Sequence, residues 1–447
     1  MTTLTLTIVF IFVAGYVCIA AESFTKVNKA AVALLMCVLC WTAYMTDPGQ
    51  YLSAAIGGAA EGVRSVAAHV GEILKMHLGD TAETLFFLMG AMTIVEIVDT
   101  YGGFNFVRDI MKTRGKRKLL WRIAFMTFFL SAILDNLTTS IVMIMVLRKL
   151  IRDNKERMIF ASIVIIAANS GGAFSPIGDV TTIMLWIKGM ITTGGVLAEL
   201  FLPSLVSMVV PVLILQFALK GKLDVGQNQP KDNVAVFTRR QRRTVFFLGV
   251  GGLIFVPIFR YLTDLPPFMG ILLVLGLLWT VTECFHRSTS EDDTMARRVS
   301  QLLARIDMST ILFFLGILMA VACLSEIGVL TALGAALNDV SGGNHYLVTG
   351  AIGVISSIVD NVPLVAGCMG MYPIAPAGDM GVDGLFWLLL AYCAGVGGSM
   401  LIIGSAAGVV VMGLEKITFG WYLKHVSWVA LVGYLAGMVA YWLVQMI

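Results

Sequence analysis

The sequence predicts an all-α polytopic membrane protein. It reads as an inverted repeat of two halves, each with five spans, one of them broken, plus a re-entrant helical hairpin. Three observations predict it. The chain is 58% hydrophobic and 13% charged, with a mean hydropathy of +0.88, whereas soluble domains carry about 25% charged residues. Apolar runs long enough to cross roughly 30 Å of hydrocarbon recur along it. Two such runs hold an Asp-Asn pair at their centres, in "SAILDNLTTS" (131–140) and "SSIVDNVPLV" (356–365).

In order, the spans fall at 3–21, 27–46, 81–100, 159–190, 198–219, 244–262, 267–286, 308–337, 384–414 and 425–446. The remaining apolar stretches, 119–150 and 345–374, are the ones interrupted by the Asp-Asn pairs. Basic residues gather in "RDIMKTRGKRK" (108–118), in "RKLIRDNKER" (148–157) and between 220 and 243, while the loops at 47–80, 189–199, 338–345 and 375–383 hold few or none. Short basic loops mark the cytoplasmic side. The N- and C-termini are therefore expected outside. Stretch 119–150 becomes either two spans or a re-entrant hairpin entering from the cytoplasmic side with its tip at Asp135-Asn136, and by the same reasoning 345–374 is a hairpin entering from outside with its tip at Asp360-Asn361. With a net charge of +3 and its basic residues confined to short loops, the chain has no broad basic face for a nucleic acid.

The halves resemble each other. "TLFFLMGAM" (84–92) matches "TILFFLGIL" (310–318), "ILDN" (133–136) matches "IVDN" (358–361), and "NSGGAFSPIGDVTT" (169–182) matches "GVGGSMLIIGSAAG" (395–408). The first and last of these pairs have the same separation, and the middle pair is closer by a single position, so one offset relates the halves. The first half is 1–220, the cytoplasmic linker 221–243 and the second half 244–447. Five full spans is an odd number, so the second half is expected upside down relative to the first. Inverted repeats with broken helices are an architecture of secondary transporters, and the corresponding interruptions point to the binding site. Residues 47–80 lack a counterpart and read as an external insertion with amphipathic helical spacing.

Backbone at membrane depth must satisfy its hydrogen bonds within the protein or a hydrated cavity. Gly171, Gly172, Pro176 and Gly178 in 159–190, and Gly395, Gly397, Gly398 and Gly404 in 384–414, should unwind their helices. Unwinding frees carbonyl oxygens, and Asn169, Ser170, Ser175, Thr181, Ser399 and Ser405 add side-chain oxygens, a setting that hard cations favour. Asp135, Asp179 and Asp360, placed near the bilayer centre with no Lys or Arg expected at their depth, need a bound cation or a proton. A carboxylate in a partly dry site titrates nearer working pH, which is the minimal chemistry of cation/proton exchange. An Asp beside Asn can also simply cap the second arm of a hairpin, and the two roles are compatible.

Other chemistries find little support. No phosphate-binding GxxxxGK[ST] occurs, "CVLC" (37–40) stands without a second pair, and the five histidines form no metal-ligand pattern. His69 and His77 are candidates only for pH sensing. Glu96 and Glu326 are candidate coupling acids near segment ends, while Glu83, Glu283 and Glu415 read as interfacial. An enzyme is not expected, and neither is a cofactor.

The set "FFLMGAMTIVEIVD" (86–99), "LDNLTTSIVM" (134–143), "AANSGGAFSPIGDVTT" (167–182), "DNVPLV" (360–365) and "GVGGSMLIIGSAAG" (395–408) resembles the NhaD-type sodium/proton antiporters of the ion transporter superfamily. The resemblance implies a bacterial inner-membrane exchanger of Na⁺ or Li⁺ for H⁺, and a homodimer with a scaffold and a mobile transport unit. It further implies a first half-site of Asp135, Asn136, Thr138, Asn169, Ser175, Asp179 and Thr181, with Na⁺ or Li⁺ at Asp135, Asn136, Asn169 and Asp179. A second half-site would hold Asp360, Asn361, Ser399 and Ser405, without a match for Asp179. Superfamily members that carry dicarboxylates have Ser-Asn-Thr at the hairpin tips, so an anion or oxyanion transporter is the alternative. Aspartates at the tips weigh against it.

Overall fold

A computed structural model of the chain describes residues 2–20, 22–52, 63–104, 110–111, 113, 115–151, 153–219, 221, 237–286 and 298–446. Outside the described residues lie 53–62 of the expected insertion, part of the basic stretch 108–118, and 222–236 of the linker. Helices of eight residues or more follow in the order α1 (Thr3–Ala20), α2 (Lys29–Tyr44), α3 (Val63–Thr100), α4 (Lys116–Leu134), α5 (Asn136–Leu150), α6 (Asn154–Ala173), α7 (Val180–Ile187), α8 (Thr193–Leu215) and α9 (Arg239–Thr263). They continue as α10 (Pro267–His286), α11 (Met308–Glu326), α12 (Val329–Ser341), α13 (His345–Ser356), α14 (Asn361–Met371), α15 (Leu385–Gly397), α16 (Ala406–Glu415) and α17 (Trp428–Val444). No strand occurs among the described residues.

Seven of the described helical stretches are long and apolar enough to cross a membrane. The protein is an all-α, multi-pass membrane protein. Among the expected spans missing from those seven, 27–46 forms a helix of only 16 residues, and 159–190 and 384–414 are broken at their glycines. The span expected at 308–337 is two helices, because Gly328 sits at φ 72° between α11 and α12, a left-handed conformation that ends helices. Helix α3 runs for 38 residues without a break at residue 80, about 57 Å at roughly 1.5 Å per residue. Short polar side chains start the helices where the sequence turns apolar: Asp153 caps α6, Thr192 caps α8, Thr238 opens α9 in a capping box with Gln241, and Asp307 caps α11.

The chain forms two compact units, each assembled from separate stretches. The first comprises Met1–Leu88, Asp307–Asn344 and Val362–Ile374. Within it, α2 packs against α1 and α11. Gly316 lets α11 approach the Ala33 carbonyl, and the Trp41 indole donates to the Met319 carbonyl at 2.8 Å. Tyr372 ties the segment after α14 to α12 by donating to the Gly334 carbonyl and to Asn338, each at 3.3 Å.

The second unit comprises Met89–Ile306, His345–Asn361 and Ala375–Ile447 and contains both broken segments, α6–α7 and α15–α16. Their ends show that they lie antiparallel: Arg157, in the first turn of α6, meets Glu415, at the end of α16, and Met190 and Thr192, beyond α7, meet Asp383, ahead of α15. The first segment packs on α4 in the same way as the second packs on α13 and the turn that follows it. Gly171 sits on the Phe128 carbonyl and Gly397 on the Gly353 carbonyl; Gly178 sits on the Ser131 carbonyl and Gly404 on that of Ser357. The Ser131 hydroxyl donates to the Ala168 carbonyl at 2.6 Å, and the Ser356 hydroxyl to that of Ala394 at 2.8 Å. These contacts repeat at the offset between the halves that the sequence shows.

A single methyl tests this packing. Gly171→Ala and Gly397→Ala both drive a Cβ into a backbone carbonyl, whereas at Gly413 in α16 a Cβ meets nothing within 4 Å. Thermal melting in detergent should show the first two destabilised alike, by about 1–3 kcal/mol. Gly413→Ala should stabilise by about 0.5–1 kcal/mol, the ordinary gain for Ala in a helix.

Candidate functional site

At the breaks the helical bonding gives way to short turns, with Ser175 N bonded to the Gly172 carbonyl in the first and Met400 N to the Gly397 carbonyl in the second, and short polar residues then restart the helices. Asp179 restarts α7, accepting from Thr181 N at 3.0 Å and Thr181 Oγ1 at 3.1 Å on the same oxygen, Oδ1. Ser405 restarts α16, accepting from Gly408 N at 3.1 Å. The offset of the repeat carries one cap onto the other, so they occupy equivalent places, one acidic and one neutral.

Asp179 is 1% exposed and lies where residues of both halves meet. Asn136 Nδ2 donates to its Oδ2 at 2.9 Å, and Asn361 Nδ2 lies 3.3 and 3.4 Å from its two oxygens. Asn136 Nδ2 also donates to Asn169 Oδ1 at 3.1 Å. The Asn169 amide in turn donates to the hydroxyls of Ser399 at 2.9 Å and Ser405 at 3.0 Å. Two hydrogen bonds from the single nitrogen of Asn136, and two from that of Asn169, use both hydrogens of each. The network therefore runs without a gap from Asn361 through Asp179, Asn136 and Asn169 to the serines of the second break. Every described hydrogen-bond partner of the Asp179 carboxylate is neutral.

The expected residues do not all come together. Asn136, Asn169, Asp179, Thr181, Asn361, Ser399 and Ser405 come together in this network. Asp135 and Thr138 form a pair of their own: Thr138 N and Oγ1 donate to the two Asp135 oxygens, both at 2.8 Å. Asp135 is thus the cap of α5, and it sits at φ 80°, ψ 157°, a region in which a side chain is strained by about 1–3 kcal/mol. Asp360 directly precedes Asn361, and it and Asp135 are close enough for their charges to act on Asp179. Ser175 belongs to the turn, where its hydroxyl accepts from Ile177 N at 3.4 Å. The candidate coupling acids lie elsewhere. Glu96 meets Arg305 at 3.3 Å in the second unit, and Glu326 meets His77 at 2.8 Å in the first.

Some contacts carry little sequence signal. Gly395 abuts Asp179: a Cβ there would lie 3.6 Å from Oδ2. Since Gly395 is the repeat equivalent of Asn169, the contact Asn169–Ser405 on one side corresponds to Gly395–Asp179 on the other. The Tyr422 hydroxyl holds the Ser399 carbonyl at 2.8 Å. Glu415, which the sequence places at an interface, is instead buried at 1% exposure between Arg148 and Arg157.

A family model described as "CitMHS: Citrate transporter" matches residues 16–390. Over 96% of its length the chain is 46% identical to "Sodium/proton antiporter 1" of Arabidopsis thaliana, spanning 71% of that protein. It is 30% identical over 97% of its length to "Na(+)/H(+) antiporter NhaD" of Alkalimonas amylolytica, spanning 89% of it. The chain belongs to the NhaD-type sodium/proton antiporter family. The Alcanivorax borkumensis YdaH transporter shares the fold, with a TM-score of 0.60 at 11% identity over 93% of this chain and 98% of that one.

The capping geometry separates stability from charge at Asp135. Asn is as good a cap as Asp, so Asp135→Asn should melt within about 0.5 kcal/mol of the parent, while Asp135→Ala should lose about 1 kcal/mol. Thermal unfolding of the purified variants measures both.

Proposed function

We propose that this protein is a secondary active transporter that exchanges Na⁺ or Li⁺ for H⁺ by alternating access, with a proton and a metal cation competing for Asp179. The observation that carries this reading is the burial of Asp179 among neutral donors only. A carboxylate taken out of water without a cationic partner is unfavourable by several kcal/mol. A proton or a small cation relieves that penalty, and the group can hand one over for the other.

The surrounding residues supply what each state needs. With the carboxylate bare, the amides of Asn136 and Asn361 and the hydroxyl of Thr181 donate to it, as in the geometry described above. An amide turned about its last torsion offers its oxygen instead. Asn136 and Asn361 would then join Asp179 and the serine hydroxyls as ligands for a hard cation. Asp135 and Asp360 add negative charge beside the site, which attracts a cation and repels a carboxylate substrate. The cycle uses no cofactor, since the ions are the cargo.

The same proposal includes two halves inverted in the membrane, hairpins at 119–150 and 345–374 that reach the site from opposite faces, and a homodimer in which a transport unit moves against a scaffold. The antiparallel course of the broken segments and their repeated backbone contacts support the inversion. The basic loops support an orientation with both termini outside, and the bacterial inner membrane is what the resemblance to NhaD-type antiporters implies. The family model's description, citrate transporter, favours the alternative in which an anion or oxyanion is carried.

Exchange in reconstituted vesicles decides between them. Internal pH should rise or fall with an imposed Na⁺ or Li⁺ gradient, regardless of the anion supplied. Asp179→Asn should reduce the flux by at least about 100-fold with folded protein still recovered. Uptake of labelled citrate without cation-driven proton movement would transfer the protein to the anion-carrying alternative.

A further inference from the structure

The two broken segments are laced together at both ends, outside the network around Asp179. At one end the buried Glu415 carboxylate, closing α16, receives Arg157 Nε on Oε2 at 2.5 Å and Arg148 Nε on Oε1 at 2.8 Å. Arg157 starts α6, and its remaining nitrogens hold the Ile151 carbonyl at 2.9 Å and Asn154 Oδ1 at 3.0 Å. Arg148, on α5, also donates to the Leu414 carbonyl. At the other end Asp383, just before α15, accepts from Thr192 N and Thr192 Oγ1, both at 2.6 Å, and its own N–H donates to the Met190 carbonyl at 3.0 Å.

These ends are repeat equivalents. The offset that relates the halves carries Arg157 onto Asp383; each opens a broken segment, and each grips the end of the other segment. One latch is an ion pair whose carboxylate is buried, each of its oxygens meeting a different guanidinium, so that Glu415 is left uncompensated only if both arginines are lost. The other joins a carboxylate to a hydroxyl and a backbone N–H. Between the latches, Asn169 donates to Ser399 and Ser405, and Gly395 abuts Asp179. A slide of one segment along the other would part those contacts, and both latches oppose it.

We infer that Glu415, with Arg148 and Arg157, and Asp383, with Thr192, are positioning residues that hold the two half-sites in register, so that the ion site travels as one assembled body. This inference rests on the exchange reading proposed above. The described partners of Glu415 and Asp383 lie outside the network around Asp179. Their action is on the spacing of Asn169, Asp179, Ser399 and Ser405.

The test compares Glu415→Gln, Arg148→Gln and Asp383→Asn with the parent in vesicles, together with backbone hydrogen exchange. Arg148→Gln leaves Arg157 to balance Glu415, so folded protein is expected even if Glu415→Gln yields little. In the folded variants the Na⁺ KM should rise by about tenfold for Glu415→Gln and in the same direction, by less, for the other two. Vmax should stay within about twofold of the parent. Amides at 171–178 and 395–404 should lose protection while α9 and α10 keep theirs, and Glu415→Asp should recover part of the affinity. Unchanged KM and protection in folded variants would overturn the inference, as would a fall in Vmax alone. Absence of Na⁺-driven proton flux in the parent would instead strike the exchange reading, and the protection data would still judge the latches.

Discussion

A carboxylate buried without a cationic side chain beside it is the constraint on which the second unit turns. Asp179 must be excluded from lipid, supplied with donors from several directions, and kept reachable by whatever neutralises it. One helix cannot do this, because only the side chains on one of its faces can converge on a single group and its interior backbone N–H groups are committed internally. Breaking two segments and setting them antiparallel brings Thr181 from the same chain turn, Asn136 and Asn361 from two other helix starts, and the Asn169–Ser405 contact to one place. The close glycine approaches follow from the same need, since bulk at Gly171, Gly178, Gly397 or Gly404 would push the packed helices away and open the network.

Much of this was legible in the sequence, and the reason is the repeat. The offset shared by the matching motifs located both breaks and both Asp-Asn pairs, and the physics of backbone in hydrocarbon said why the breaks mattered. Hydropathy could count apolar runs, but it could not see that Gly328 divides 308–337 or that α3 continues through residue 80, since both depend on local conformation rather than composition. Nor could it separate Asp135 from Asp179. Both precede a helix and a threonine. Only geometry distinguishes a carboxylate with both oxygens taken by its own helix start from one whose second oxygen faces side chains distant in sequence. Glu415 escapes a sequence reading for a related reason: its arginine partners belong to the other half of the chain, and a lone acid near a segment end carries no sign of them.

The repeat is also broken where it matters chemically. Ser405 takes the place of Asp179 in the second segment, and Gly395 the place of Asn169. One of the two equivalent contacts is therefore an amide against a hydroxyl, complete as it stands. The other sets a carboxylate against a residue without a side chain. Two acidic caps in such close quarters would repel each other and compete for the same donors. With Ser405 in its place the second cap adds no charge, and its hydroxyl accepts from Asn169.

The connection between α4 and α5 consists of Asp135 alone, and that residue is held in a strained backbone conformation with its carboxylate already committed to Thr138. A joint of one residue has no slack. Any tilt of α5 against α4 swings Asn136, the next residue, and Asn136 holds Asp179 and Asn169 with the same nitrogen. The joint thus acts as a short lever arm, converting the angle between two helices directly into the grip on a single carboxylate.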